Sequence, residues 1–394
     1  MEQTRGHGPL SGIRVVELAG IAAAPYGVML LADMGAEVIR VDRVPDGTPP
    51  RHPPRSDTLN RGRRSIAVDL KSPDGVTVVR KLASQADVFV EAFRPGVLER
   101  LGLGPADLLA DNPRLVYARM TGYGQDGPWA LRAGHDINFI GMTGTLHAIG
   151  PADAPPLPPL NLVGDFGGGG MLLAFGVVCA VLEAQRSGQG QVVDAAMVDG
   201  AASLTSLFYS LTAGGIWQDQ RGGNRLDGGA PHYASYQTAD GKYMAVGSLE
   251  PRFYQAFVAG LGLADAGLPN PHDRNNWPTL RARFAAEFKG RTRAEWEQVF
   301  AGSDACVTPV RSLVEAATDP HLAQRGTIVT PDGIPQAAPA PRLSRTPGTI
   351  GLPPPWPGEH TQAILADAGF DTEQCAGLLA SGAAVQHTAQ GEPR

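Results

Sequence analysis

Short runs rich in valine and isoleucine alternate with amphipathic stretches through the first part of this chain, and that alternation leaves few architectures open. Residues 13–18 read as a strand, and residues 23–35 as a helix with Tyr26, Met29, Leu30 and Met34 on one stripe. Residues 37–41 form a second strand, residues 44–64 a loop rich in proline and arginine, and residues 65–70 a third strand. The next helix opens with Ser72 as N-cap and Pro73 in the first helical position. Residues 87–91 and 115–120 add two more strands. Strands separated by helices in this way predict an α/β domain with a largely parallel sheet.

At 394 residues the chain exceeds one compact core, so two domains are expected. Near Arg221 the pattern changes. A hairpin over residues 236–246 turns at Asp240-Gly241, and helices follow from Arg252, from Thr279 and over residues 292–300, the last with Thr292 and Glu295 as a capping box. The expected division is a large α/β domain over 1–220, a small α+β domain over 221–330, and an extended proline-rich segment over 331–394 that returns to the large domain. The tail from Ala383 is expected to fray.

A net charge of −6 gives no electrostatic reason to expect nucleic acid as a partner. Three widely spaced cysteines argue for a reducing compartment rather than a disulfide framework. No leader segment is evident, and the longest apolar run, residues 171–182, is too short to span a bilayer. A soluble, cytoplasmic protein with no membrane partner is the expectation. There is no G-x-G-x-x-G after the first strand, no phosphate-binding loop, no G-x-S-x-G and no His/Cys cluster at metal-ligand spacing. Cys306, between Ala305 and Val307, reads as core.

Two segments carry chemistry. Gly134-His135-Asp136-Ile137-Asn138-Phe139 places an imidazole in a polar break, and Asn161-Leu162-Val163-Gly164-Asp165-Phe166 places a carboxylate before Gly167 to Gly170. An isolated His is more often structural, and Asp165 could merely cap a helix. Glycine weakens the helix it opens, however, so four in a row point to a backbone that a ligand approaches closely. Backbone N–H groups there would also suit a developing oxyanion. The basic set Arg40, Arg43, Arg61, Arg63, Arg64, Lys71 and Arg94 is either a solvated surface or a phosphate-binding rim at the strand ends.

Ordered motifs run from Leu10 to Pro354: Val16-Glu17-Leu18, the stretch from Asp33 to Arg43, Ala67-Val68-Asp69-Leu70-Lys71, Ala133 to Asn138, Pro159-Leu160-Asn161-Leu162, Gly188 to Asp194, Leu226 to Pro231, and Asp304 to Val310. With these the chain resembles the family III CoA transferase (CaiB/BaiF-like) superfamily and, within it, the α-methylacyl-CoA racemase branch. The resemblance implies a Rossmann-like large domain, a small domain and an interlocked homodimer. It also implies His135 and Asp165 as the acid/base pair, Glu250 orienting the His, and Asn161 paired with the Asp. The CoA moiety of the substrate would lie on Arg43, Ala67, Val68, Asp69, Leu70, Arg94, Gly134, Asp136, Ile137, Asn138 and Phe139. Phe139 stands where relatives often carry Tyr, and Arg225 replaces an apolar residue before Leu-Asp-Gly-Gly.

The expected activity is racemisation of 2-methylacyl-CoA thioesters, within fatty acid metabolism. An α-proton would be removed and returned through an enolate, with no metal or redox cofactor and CoA as part of the substrate. Enolate donors would be backbone N–H groups near Asp165. The alternative is a CoA transferase in which Asp165 carries the acyl group as a mixed anhydride.

Overall fold

A computed structural model of the chain describes residues 7–46 and 53–387; residues 47–52 of the proline- and arginine-rich loop and the tail beyond 387 lie outside it. Two compact units are present. The first comprises Met1–Thr143, Leu160–Leu204 and Gly326–Arg394, and the second Gly144–Pro159 and Thr205–Arg325. The division thus falls at Thr205 rather than at 221, for local reasons. The Arg221 guanidinium donates to the carbonyls of His147, Pro151 and Ala154, which ties 144–159 to the second unit. Phe208 packs edge-on against Trp217 at 4.8 Å and brings the Ser206–Ala213 helix into the same unit.

The first unit is built on a seven-stranded sheet. Strands β1 (Arg14–Leu18), β2 (Glu37–Asp42), β3 (Arg63–Val68), β4 (Val88–Glu91), β5 (Val116–Thr121) and β6 (Val192–Ala196) are all parallel. Their order is β3-β2-β1-β4-β5-β6, with Ala384–Val385 added antiparallel at the β3 edge. The order reverses beside β1, between β1 and β4, and open α/β sheets bind ligands beyond the carboxyl ends of their strands at such a point. Alternating side chains serve both faces. Val16, Leu18, Ile39 and Ile66 pack with Val78 and Leu82 of the Pro73–Ser84 helix on one side. Val15, Val38, Val90 and Val116 pack on the other with helices α1 (Ala23–Asp33) and α3 (Met171–Ser187), α2 (Asp136–Met142) lying between them in the chain.

The proline-rich segment is bonded to the first unit: Leu352 O accepts from Gly62 N, Thr349 N donates to Asp33 O, and Arg55 bonds both Pro354 O and Glu359. Two expectations need correction. The tail does not fray from Ala383, because Ala384 is fully buried and pairs with Val68. The apolar run is also longer than the sequence reading allowed. A π-helical segment, Leu162–Gly170, continues directly into α3, giving a helix of 26 residues that by length and composition could cross a membrane. Its Leu173, Val177, Ala180 and Val181 are buried in the first unit.

The second unit holds an antiparallel sheet of β7 (Tyr233–Gln237), β8 (Tyr243–Gly247) and β9 (Val307–Pro309). The Asp240-Gly241 turn joins β7 to β8, with Gly241 at φ 73°, the left-handed conformation glycine takes without strain. Thr292 and Glu295 form the expected capping box. Phe257, Phe284 and Phe288 fill the core. Cys306 is exposed, not core; the buried neighbour is Ala305.

Candidate active site

The glycine run is explained by helix packing rather than by a ligand. A methyl group on Gly170 would lie 2.5 Å from the Ala23 carbonyl oxygen, and one on Gly169 3.2 Å from the Ala23 side chain. One on Gly168 would lie 2.7 Å from the Ala201 nitrogen on helix α4 (Met197–Leu204). Glycine therefore lets the π-helical segment sit against α1 and α4 backbone to backbone. Tyr26 of α1 packs on Phe166 at 4.8 Å, fixing the turn that carries Asp165.

Asp165 is half-buried, and its carboxylate accepts from Asn161 Nδ2 at 3.0 Å. Burial raises its pKa above the ordinary carboxylate range, the Asn161 bond opposes this, and the Asp136 charge raises it further while His135 lowers it. Asp165 and His135 therefore lie within electrostatic reach of each other. His135 is exposed and precedes α2, its N–H donating to Asn138 Oδ1 at 3.0 Å.

Asp136 joins the two segments. It is 5% exposed, and its Oδ2 accepts from the Gly164 and Asp165 N–H groups at 2.6 and 2.7 Å. These two N–H groups are thus unavailable to an enolate, against the sequence expectation. A side chain on Gly164 would collide with the same carboxylate, its Cβ 2.6 Å from Oδ2.

The basic set divides. Arg63 is fully buried against Glu17 at 2.7 Å, Arg61 pairs with Asp33 at 2.6 Å, Arg40 with Asp42 at 3.0 Å, and Arg64 bridges Glu37 and Asp367. These four are structural, not a phosphate rim. Arg43 and Arg94 are exposed just beyond β2 and β4, the strands on either side of β1. Lys71 is exposed beyond β3.

The remaining expected contacts also divide. Ala67 and Val68 are buried, with Ala67 N donating to Thr361 Oγ1 and both residues paired with Ala384–Val385. Asp69 and Leu70 are partly accessible at the strand end. Ile137 and Asn138 are exposed on α2. Phe139 is 4% exposed, edge-on to Tyr123 at 4.9 Å and packed over Gly122 and Gly134. Its ring is core, so a hydroxyl missing from it is first a matter of packing.

Glu250 belongs to the second unit, whereas His135 belongs to the first. It is exposed before the Pro251–Gly260 helix and makes no side-chain bond to that helix. Arg225 is exposed, with its guanidinium 3.4 Å from His272 Nδ1. The linking role of Asp136 had no sequence signal, since its partners lie 28 and 29 residues away.

Comparison with known proteins identifies the family of the chain. The chain is 48% identical over 368 residues to alpha-methylacyl-CoA racemase of Mus musculus, covering 93% of this chain and 94% of that protein. It is 46% identical over 369 residues to the Homo sapiens protein of the same name, with the same coverage. A solved CAIB/BAIF family protein from Brucella suis superposes with a TM-score of 0.79 at 28% identity, over 92% of this chain and all of that one. The family model for CoA-transferase family III matches residues 10–361, and the chain belongs to that family.

Proposed function

We propose that this chain is a racemase of 2-methylacyl-CoA thioesters, with one of His135 and Asp165 removing the α-proton and the other delivering a proton to the opposite face of the enolate. The observation that carries the reading is the joining of the His135 and Asp165 turns through one buried carboxylate. It is supported by 48% and 46% identity to proteins named alpha-methylacyl-CoA racemase.

A thioester α-hydrogen is only weakly acidic, so a base must be matched by an acid on the other face. From the S enantiomer, neutral His135 takes the proton, the C–H electron pair moves into the enolate, and protonated Asp165 returns a proton to the opposite face. From the R enantiomer the roles reverse. Each positioned acid or base contributes about 10²–10⁴-fold. Asp165, with its pKa raised by burial, suits a group that must hold a proton part of the time. Asn161 bonds one carboxylate oxygen and leaves the other to carry the proton. Glu250, by resemblance, orients His135.

Arg43 and Arg94 bind CoA phosphates, where charge-assisted bonds are strongest. One proton leaves Cα for one group and another arrives from the second with no change of oxidation state, so the reaction calls for no redox cofactor. The large unit acts as a Rossmann-like CoA-binding domain and the second as the small α+β domain. The protein works as a homodimer in the cytoplasm. An apolar ridge on α3 supports the dimer, with Phe175 67%, Met171 53% and Leu182 47% exposed.

The test is α-exchange in deuterium oxide on a panel of 2-methylacyl-CoAs. Wild type labels both enantiomers while interconverting them, and His135→Ala and Asp165→Ala each stop interconversion. A transferase would instead form an Asp165–acyl anhydride with release of the CoA thiolate, trapped by hydroxylamine, with no label at Cα. That result would defeat the racemase reading.

A further inference from the structure

Asp136 stands outside the proton-transfer steps, yet its surroundings are unusual. One carboxylate oxygen accepts two backbone N–H groups at 2.6 and 2.7 Å. The other, Oδ1, is buried and finds no donor among the described residues. Burying a carboxylate oxygen without a partner costs free energy, so the remaining bonds must be worth keeping. Both run to the turn that holds Asp165, and Asp136 is itself covalently next to His135. The fold has no shorter route between these two segments among the bonds described. Gly164 completes the arrangement, because any side chain there would occupy the carboxylate's position.

We propose that Asp136 is a positioning residue for proton transfer, its carboxylate pinning the turn of Asp165 to the turn of His135 so that the two acid/base groups keep one register. The proposal rests on the racemase reading of that pair. Misplacing a reacting group by about 1 Å can reduce a rate on the order of 10²-fold, so a tether of this kind has catalytic weight.

The tether also acts through its charge. Burial is the larger cause of the raised Asp165 pKa, and Asp136 adds to it. The other groups facing this site are His135 on the same segment and Asn161 on the π-helical segment. Helix α1 packs Tyr26 against Phe166 of the same segment, while Asp33 on α1 is bonded to Arg61, and Asp199 on α4 is exposed and acts on Asp194. Asp136 is the neighbouring anion that acts on Asp165.

Two variants separate tether from charge. Asp136→Ala removes both, and Asp136→Asn keeps an acceptor oxygen but no charge. Amide hydrogen exchange reads the tether directly, and α-exchange with solvent deuterium reads the chemistry. In Asp136→Ala the Gly164 and Asp165 amides lose protection, and kcat falls on the order of 10²-fold with a smaller change in KM. Asp136→Asn restores the protection and most of kcat.

The charge is read in a His135→Ala background, where Asp165 is the surviving base and exchange of its own enantiomer follows its ionisation. There, adding Asp136→Asn moves the rising limb of the pH profile to lower pH. A general loss of structure would lower the rate without moving the limb. Should Asp136→Ala fail to fold, the limb in His135→Ala/Asp136→Asn decides the matter. Protected amides with wild-type kcat in Asp136→Ala, or an unmoved limb, would overturn the proposal. If His135→Ala exchanges neither enantiomer at any pH while the amides of Asp136→Ala still open, the racemase reading has failed and the tether stands.

Discussion

A methyl group placed on Gly200 would sit 1.8 Å from the carbonyl oxygen of Gly168, so α4 and the Asp165 segment touch through bare backbone. Gly200→Ala must push that segment away. Overpacking of this kind costs about 1–3 kcal/mol. The displacement should lower α-exchange by on the order of 10²-fold, since Asp165 moves with the turn. Thermal unfolding together with exchange rates checks both, and an active, fully stable Gly200→Ala would show that the turn has room to give.

Two arginines from one basic cluster should behave in opposite ways. Arg63 is fully buried against Glu17. Removing one partner of a buried pair costs about 3–5 kcal/mol, so Arg63→Met should be markedly unstable to denaturant. Arg94 is exposed, and Arg94→Ala should change stability by less than about 0.5 kcal/mol. It should instead raise KM for acyl-CoA and leave kcat nearly untouched. Unchanged CoA affinity in Arg94→Ala and in Arg43→Ala/Arg94→Ala would remove both from the site.

His232 in the second unit should make stability fall in mild acid. Burial pushes its imidazole from 6.5 down to about 4, with His272 and Arg225 adding to the effect. The folded protein holds it neutral, while the unfolded chain takes up a proton below 6.5. Its contribution is therefore complete above pH 6.5 and is lost as pH falls toward 4, by on the order of 3 kcal/mol. His232→Phe should flatten that part of the stability profile. The same slope in wild type and variant would assign the acid sensitivity to another group.

Glu250 makes no side-chain bond to the helix it precedes, which leaves its carboxylate available to another partner. A carboxylate bonded to an imidazole fixes its tautomer and stabilises the cation formed on proton uptake. Glu250→Gln should therefore keep stability and CoA affinity while slowing exchange from the enantiomer served by His135. Wild-type exchange from both enantiomers would leave Glu250 as a helix-terminal acid and nothing more.

The α3 ridge should be an interface between two copies of the chain. Phe175 is 67% exposed on a helix whose opposite face is buried. Phe175→Glu places a charge in that ridge and should yield monomer in sedimentation, with wild type a dimer that persists on dilution. A monomeric, active wild type at nanomolar concentration would refute this.

The strands were legible because Val15, Val16, Val38 and Ile39 are local signals, as were Ser72-Pro73 and the Asp240-Gly241 turn. What escaped the sequence was pairing over distance. Arg63 reads as a free cation until Glu17, 46 residues away, is seen to neutralise it. The glycine run reads as a ligand cradle until Ala23 and Ala201 are found against it. His135, Asp165 and Asn161 were legible as residue types in motifs, whereas the work of Asp136 is visible only once the two turns meet. Ala384–Val385 escaped because two residues cannot carry a periodic pattern.

That short pairing affects how the chain can be assembled on the ribosome. β3 is an edge strand until residues 384–385 emerge, long after every other strand of its sheet has been made. Meanwhile this edge of β3 lacks the strand that later pairs with it, the kind of open edge on which chains aggregate. A truncation at residue 383 would make that interval permanent, and its first symptom would be insolubility during expression rather than a loss of activity.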